Sequence, residues 1–334
     1  MSKKKITIQD IAGTASVSKS TVSRVLNGTT PVAEDKRLAV MEAMKALDYK
    51  PNVFARSLAG GKTMTIGIVT ENIGSPFYDS VTQGVMKGLN STEYTPIIAD
   101  GQWQPKLERI AISTLVDRQV DGLVMVGGLL DSEALDEFRQ ETPIVIVARS
   151  LPGWENESIT IDNLAAAKSA TNHLIENRHR EIAHIMGDQT HQDAKDRYQG
   201  YKAAMREANL PLSDHLFVQG NFESQSGVNA IETLLRREKP FTAIFAANDQ
   251  MAIGARLALY RANIRVPQDV SIIGFDNQSE SAYSTPPLTT VNQPAADMGV
   301  AASRMLIGKI TNKPVEIPTF SAELILRESV ARID

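Results

Sequence analysis

Apolar residues recur along this chain with two different periods, and the change between them divides it. Up to about residue 62 the spacing is helical: Ile8, Ile11 and Ala12 share one face, and Val22, Val25 and Leu26 share another. Both runs open on a hydroxyl suited to capping a helix. Thr7 has Asp10 three residues on, an Asp version of the capping box, and Ser18 has Val17 before it and Val22 at the position where a hydrophobic staple closes. A third helix is predicted from Ala33 to Leu47, with Leu38, Met41, Met44 and Leu47 on its inner face, ending before Tyr49-Lys50-Pro51. Residues 7 to 28, closed by Asn27-Gly28, thus read as two short helices joined by a tight turn, ahead of a third.

Beyond Thr63 the apolar runs become short and strand-like: TIGIVTEN, TPIIAD, DGLVMVGG, PIVIVAR, SITIDN, EIAHIMGD, TAIFAAND and VSIIGFDN. Most are followed by helical stretches such as Phe77 to Leu89 and Leu107 to Arg118. That alternation predicts parallel sheets covered on both faces, and the runs are too many for one small sheet. Asn72, Asp100, Arg149, Asp188, the pair Asn248-Asp249 and the pair Asp276-Asn277 fall just after predicted strand ends, where open α/β sheets gather ligands. Two such sheets facing each other make a cleft of amides, carboxylates and an arginine, the hydrogen-bonding set a polyhydroxylated ligand needs.

Charge follows the same division. Residues 1 to 62 carry eleven Lys and Arg against five Asp and Glu, the remainder 24 against 34, so +6 and −10 make up the overall −4. A basic head is what phosphate neutralisation requires, and an acidic body stays off nucleic acid. At 334 residues with 42% hydrophobic content, two or three domains are expected. The absence of Cys excludes disulfides, thiolate catalysis and Cys zinc sites, and fits a reducing compartment. The start MSKKKITIQD has no apolar run behind its lysines and no stretch approaches the length of a membrane span. A cytoplasmic chain with no membrane partner is expected.

Candidate chemistry concentrates in two places. The outward positions of the second helix, Lys19, Ser20, Ser23 and Arg24, suit major-groove docking, because hydroxyls and a helix N-terminus meet phosphates while Lys and Arg reach guanine edges. The same pattern also fits an ordinary helical hairpin with a solvated face. Asn52 to Lys62, ending in Gly-Gly-Lys, fits a short linker helix or a loose tether, and alone is too short to offset helix nucleation. Enzyme readings fail: Gly60-Gly61-Lys62-Thr63 resembles the end of a phosphate loop, but Arg56 stands where that motif requires Gly and the strand follows it. His173, His179, His184, His191 and His215 have neither HExxH spacing nor Cys partners. No catalytic residue, metal or cofactor is therefore expected. Met44, Met86, Met125 and Met251 read as core.

Four segments together carry a resemblance: Thr7 to Gly28 with VSKSTVSRVLNG, then DYKPNVFARSLAGGKTMTIGIV, IFAANDQMAIGA and VSIIGFDNQSESAYSTPPLTTVNQP. In this order they resemble the LacI/GalR family of bacterial repressors over nearly the whole chain. The resemblance implies a helix-turn-helix head, a hinge helix and a core like periplasmic sugar-binding proteins, made of two Rossmann-like subdomains. It also implies a homodimer on pseudo-palindromic operator DNA. By the same resemblance Lys19 and Ser20 occupy the variable base-reading positions, Arg24 the guanine-reading one, and Ser18, Thr21, Ser23 and Asn27 the backbone-contacting ones. Leu58 matches the leucine that wedges into the minor groove; it also suits a dimer contact, and the two roles are compatible. One departure is visible at Val32-Ala33, where the family usually has a Ser or Thr cap, a loss of about 1 kcal/mol of local stability.

For the ligand cleft, Arg197 in DAKDRYQGY resembles the family's ligand arginine, and Asp276 in GFDN its hydroxyl-accepting carboxylate. The two also suit a structural ion pair. Asn248 matches a polar contact, Phe222 an aromatic platform, and Ser75, Phe77 and Tyr78 the first cleft loop, although Phe77 equally suits a core position. Arg149, His191 and Asp193 are further wall candidates.

The expected architecture is an all-α head over 1–50, a hinge over 51–62, a first core subdomain over 63–162 and 293–322, and a second over 163–292 and 323–334. The expected function is transcriptional repression, with operator affinity controlled by a small mono- or disaccharide bound between the subdomains. A purine-responsive co-repressed regulator and a non-regulatory sugar-binding protein are the alternatives. Arg149, where a purine pocket would need an aromatic, and the basic head weigh against them. Because the chain ends soon after LILRESVARID, with no leucine-repeat tail, dimers are expected instead of tetramers.

Overall fold

A computed structural model describes residues 6–27, 31–49 and 62–334. The hinge segment and Leu58 lie outside the described residues, as does the side chain of Asn27.

The head is three helices, α1 (Ile8–Thr14), α2 (Lys19–Asn27) and α3 (Glu34–Ala46). Thr7 and Asp10 complete the reciprocal capping box: the Thr7 N–H donates to Asp10 Oδ2 at 2.8 Å while Thr7 Oγ1 accepts from the Asp10 N–H. Ser16 takes the left-handed backbone that turns the chain, and Ser18 Oγ accepts the Thr21 N–H at 3.1 Å to start α2. Ile11, Ala12, Val22, Val40 and Ala43 form the small core.

The inner face of α3 differs from the expectation. Leu38 and Met41 are each 50% exposed, and the buried stripe runs through Val40 and Ala43 with Met44 and Leu47 packed beside it. Positions 40, 43, 44 and 47 are themselves spaced at helical intervals. The head's narrow interior is filled by the smaller residues of that stripe, and the larger Leu38 and Met41 lie just off it. Ala33 precedes α3 without a side-chain cap.

The core holds two sheets. The first has strand order β2-β1-β3-β4-β5, from β1 (Thr65–Thr70), β2 (Thr95–Asp100), β3 (Gly122–Val126), β4 (Ile144–Val147) and β5 (Ser158–Ile159), all parallel. Successive residues point to opposite faces. Val124 and Val126 join the layer of α4 (Pro76–Leu89), and Leu123 and Met125 join that of α5 (Pro105–Asp117) and α6 (Ser132–Arg139).

The second sheet contains β6 (Ile182–Met186), β7 (Phe217–Gln219), β8 (Ala243–Ala246), β9 (Ser271–Asp276), β10 (Thr289–Asn292) and β11 (Glu323–Ile325), ordered β11-β10-β9-β8-β6-β7. Only its edge pair, β10 with β11, is antiparallel. One face carries α7 (Asn163–Glu176) and α8 (Gln192–Glu207), the other α9 (Ser224–Arg236) and α10 (Asp249–Arg261). The short α11 (Ser279–Tyr283) follows β9.

The chain passes between the two sheets more than once. After β10 it forms α12 (Ala295–Thr311), which lies on α4 of the first subdomain, and then returns to pair β11 with β10 of the second. The α4–α12 contact is a backbone approach: a Cβ on Gly84 would collide with the Ala296 carbonyl, and one on Gly299 with that of Val81.

Candidate functional site

On the head, the N-terminal turn of α2 presents the predicted DNA-facing groups. Ser18, Lys19, Ser20 and Arg24 are exposed, while Thr21 and Ser23 are half-buried. Ser18 Oγ lies 2.8 Å from both Ser20 Oγ and Thr21 Oγ1, so the hydroxyls form a cluster at the helix start. No acidic residue occupies that first turn. The positive end of the helix dipole is therefore open to an anion such as a backbone phosphate.

Between the core subdomains two cavities of about 140 and 320 Å³ share Tyr78 and Asp193 as walls. The smaller is lined from the first subdomain by Ser75, Phe77, Tyr78 and Trp103, and from the second by Asp193, Arg197, Phe222, Asn248 and Asp276. Arg149 and His191 line the larger one. The polar walls come from strand ends and helix starts, because there backbone groups end their ladders and side chains turn to the cleft.

Arg197 is the centre of the second subdomain's wall. Its Nε donates to Asn163 Oδ1 at 2.9 Å, its Nη1 to the Ala247 carbonyl at 2.6 Å, and its guanidinium stacks 3.8 Å from the Phe275 ring. Asp193 and Asp276 approach it at 3.5 and 3.7 Å, an ion-pair range beyond direct hydrogen bonding. Asp276 instead accepts from Gln293 Nε2 at 2.7 Å and Gln278 Nε2 at 3.2 Å. Burial pushes its carboxyl up to about 7, against the pull of Arg197. Arginine and carboxylate are thus a loosely coupled pair, each held by neutral partners and both lining the cavity.

Asn248 is committed to the fold as well as lining the cavity. It caps α10 by accepting the Met251 N–H at 2.9 Å, and its Nδ2 donates to the Phe222 carbonyl at 2.9 Å. That bond holds the left-handed Phe222 turn, which lays the ring on Gly187. Ser75 precedes α4 without capping it. Phe77 is half-buried, packed on the core as expected for one of its two readings, and also lines the cavity. Arg149 donates to the Leu130 carbonyl and sits with Glu108 beside Gly128. Burial lowers the pKa of both Arg149 and His191.

Several contributors were not predicted. Trp103 lines the smaller cavity from a turn in which Gln102 and Trp103 both adopt left-handed backbone. Its only sequence signal is an aromatic three residues beyond Asp100, the polar end of a strand. Gln278 and Gln293, which hold Asp276, stand just after the GFDN run and within VNQP, where neither strand periodicity nor a motif singles them out. Beneath Trp103 lies the fully buried Glu71, whose two carboxylate oxygens lack hydrogen-bond partners; burial, with Glu108 alongside, pushes it up to about 8. Nothing at the end of TIGIVTEN distinguishes that residue from a solvated glutamate.

Comparison with known proteins draws the head and core together. Residues 7–52 match the family of bacterial regulatory proteins called lacI, and residues 171–330 match a periplasmic binding protein-like domain. The chain is 36% identical to the HTH-type transcriptional regulator GalR of Escherichia coli strain K12 over 328 residues, 97% of this chain and 96% of that protein. This chain belongs to the LacI family. Among solved structures, the transcriptional regulator CelR in complex with cellobiose is 32% identical, with a TM-score of 0.73 over 97% of this chain and 99% of that one. The lac repressor dimer bound to operator and an anti-inducer reaches a TM-score of 0.87 over 98% of this chain and 100% of that one; at 24% identity this is a likeness of fold. Family membership makes the chain a DNA-binding transcriptional regulator of the helix-turn-helix type.

Proposed function

We propose that the chain is a repressor whose operator affinity falls when a small carbohydrate binds between the core subdomains. The observation that carries this is the cleft itself: Arg197, Asp276 and Asn248 converge on one cavity whose walls also include the aromatic rings of Phe77, Tyr78, Trp103 and Phe222. Sugars present hydroxyls around their edge and C–H groups on their faces, so they need both kinds of wall at once. The cellobiose complex of CelR supports the same class. A purine would leave Asp276 and Arg197 with few hydroxyl partners, and Arg149 stands on the larger chamber where a flat aromatic wall would be needed. The ten wall residues named from the sequence are assigned as effector contacts on this basis, and Ser18, Lys19, Ser20, Thr21, Ser23, Arg24, Asn27 and Leu58 as DNA contacts.

The proposal includes a homodimer on pseudo-palindromic DNA. Ile97 and Ile98 are exposed on the edge strand β2, Leu257 and Tyr260 on α10, and Tyr283 is 87% exposed on α11. Apolar side chains on the uncovered edge of the first sheet and on helices of the second subdomain fit a second copy of the chain. A hydrogen-bond line links the cleft to that surface. Gln278 joins Asp276 to Gln250 at 3.0 Å, and its N–H donates to Asp249 Oδ2, which also accepts from Ser281 in α11. Effector binding at Asp276 is thereby placed to shift α11, and with it the dimer geometry that spaces the two heads. Regulation then requires that the effector prefer one dimer conformation.

We further infer a non-enzyme working in the cytoplasm, where operator DNA is found; among the described residues no helix is long and apolar enough to cross a membrane. The domain division proposed is 1–50, 51–62, 63–162 with 293–322, and 163–292 with 323–334. The test is DNA binding by the full-length protein to duplexes selected from a random pool, titrated with salt and with sugars. Affinity is expected to fall steeply with salt, to be lost in Lys19→Ala/Arg24→Ala, and to drop on adding the effector. Absence of DNA binding by the wild type, or a thermal shift with nucleobases and with no sugar, overturns the reading.

A further inference from the structure

The two cavities of the cleft are separated by side chains from both subdomains. Tyr78 and Asp193 line both chambers, Trp103 lines the smaller and His191 the larger. Trp103 and His191 meet edge to face with ring centres 4.2 Å apart, and Tyr78 supports Trp103 at 5.2 Å. Trp103 belongs to the turn between β2 and α5, while His191 precedes α8, so this contact crosses from one subdomain to the other.

The Trp103 turn is built at a cost. Two consecutive non-glycine residues, Gln102 and Trp103, have φ of 53° and 54°, a region that L side chains adopt reluctantly. The conformation is pinned by the Gln102 N–H on Asp100 Oδ1 at 2.8 Å and the Trp103 N–H on the Glu71 carbonyl at 3.1 Å. Strain retained by several bonds, with its product a tryptophan directed at a cleft, is characteristic of a binding element.

Size completes the argument. Small-molecule sites usually begin at about 300 Å³. The chamber holding Arg197 and Asp276, at about 140 Å³, falls short of that alone, whereas the adjoining 320 Å³ lies behind the Trp103–His191 partition. The second chamber is also polar, with Arg149, Ser150, Thr160, Asp193 and Lys195 among its walls, so it suits more hydroxyls and not a greasy tail.

We propose that the Trp103–His191 contact is a gate between two sugar subsites, and that the effector is a disaccharide whose linkage passes between these rings. This rests on the carbohydrate reading given above. One ring occupies the Arg197–Asp276 chamber, the other the Arg149 chamber, and Trp103 leaves His191 to lie against a sugar face. Trp103 is then the residue that sets effector length.

The experiment uses full-length protein and calorimetric titration with unphosphorylated disaccharides (cellobiose, maltose, lactose, trehalose, melibiose) and with glucose and galactose. At least one disaccharide is expected to bind about tenfold or more tighter than its component monosaccharides. Trp103→Ala should weaken disaccharide binding at least about fivefold more than monosaccharide binding, so that the ratio collapses, and Trp103→Phe should keep most of it. The chain has two tryptophans, so in Trp154→Phe the emission of Trp103 is read alone and should change on disaccharide binding. His191→Ala provides a second route should Trp103→Ala fail to fold, and should likewise change the length preference. A monosaccharide binding as tightly as every disaccharide, or both sizes weakened equally in Trp103→Ala and His191→Ala, overturns the two-subsite proposal and leaves the carbohydrate reading standing. If no sugar of either size binds, the carbohydrate reading itself fails, and this inference with it.

Discussion

The two sides of the cleft hold their side chains in different ways. In the second subdomain each polar wall residue is fixed by several bonds: Arg197 by Asn163 and the Ala247 carbonyl, Asp276 by Gln278 and Gln293, Asn248 by the start of α10 and the Phe222 carbonyl. The first subdomain instead offers ring faces from turns and helix starts, Phe77, Tyr78 and Trp103, joined by edge-to-face contacts. Preorganised hydrogen bonds select what binds, because an unmatched buried group is expensive. Ring faces adapt their position and reward closure. The difference teaches that hydroxyl recognition in the Arg197–Asp276 chamber is written on one subdomain, and closure and length selection on the ring faces of the other.

The largest test of that division is Arg197→Ala. Removing the cation leaves Asp193 and Asp276 without their buried partner, so effector affinity should fall by about a hundredfold or more and the unfolding free energy by about 3 kcal/mol. Calorimetry and urea unfolding check the two together; an intact effector response would show that recognition does not reside there. Phe77→Ala, on the opposite wall, should weaken effector binding by about tenfold at most, since it removes contact area and no unique partner. A loss as great as that of Arg197→Ala would erase the contrast.

Titration separates the two sides again. Burial raises the carboxyls of Asp276 to about 7 and Glu71 to about 8, so the folded chain binds these protons more tightly than the unfolded chain does. Their contribution to stability is fully present below the ordinary carboxylate range and is lost as pH rises through about 7 and about 8. Asp276→Asn and Glu71→Gln should therefore each raise the melting temperature at about pH 8.5 relative to wild type and reduce the dependence between about pH 5 and that point. Only Asp276→Asn should also abolish the effector response. A Glu71→Gln variant that melts lower at alkaline pH would mean that the ionised carboxylate is the form the fold needs.

The smallest effect lies in the head. Ala33→Ser supplies the missing cap of α3 and should stabilise that helix by about 0.5–1 kcal/mol, read as slower amide exchange in Glu34–Ala46. No change would show that a hydroxyl introduced at position 33 does not reach the helix start.

Much of this was legible beforehand, for reasons that can be named. Short apolar runs such as DGLVMVGG and VSIIGFDN announced buried strands because both sheet faces are covered, and Thr7–Asp10 and Ser18 announced helix starts because capping is local chemistry. Asp276, Arg197 and Asn248 were found because a strand end or a matching motif marks them. What stayed hidden depends on distant partners. Trp103 reaches the cleft through a left-handed turn pinned by Glu71 and Asp100, and Glu71 is buried by elements far along the chain. Leu38 and Met41 were misplaced because two adjacent apolar stripes run along α3, and only packing against α1 and α2 chooses the stripe of Val40 and Ala43.

Whether the cleft controls the head is the central claim. Its most direct test is operator affinity of full-length wild type and Asp276→Asn, measured by fluorescence anisotropy on the same selected duplex, without sugar and at saturating disaccharide. The account predicts that sugar lowers wild-type affinity by about tenfold or more, while Asp276→Asn binds DNA as the wild type does and ignores the sugar. Unchanged wild-type affinity at saturating sugar, or an Asp276→Asn response equal to that of the wild type, would contradict it.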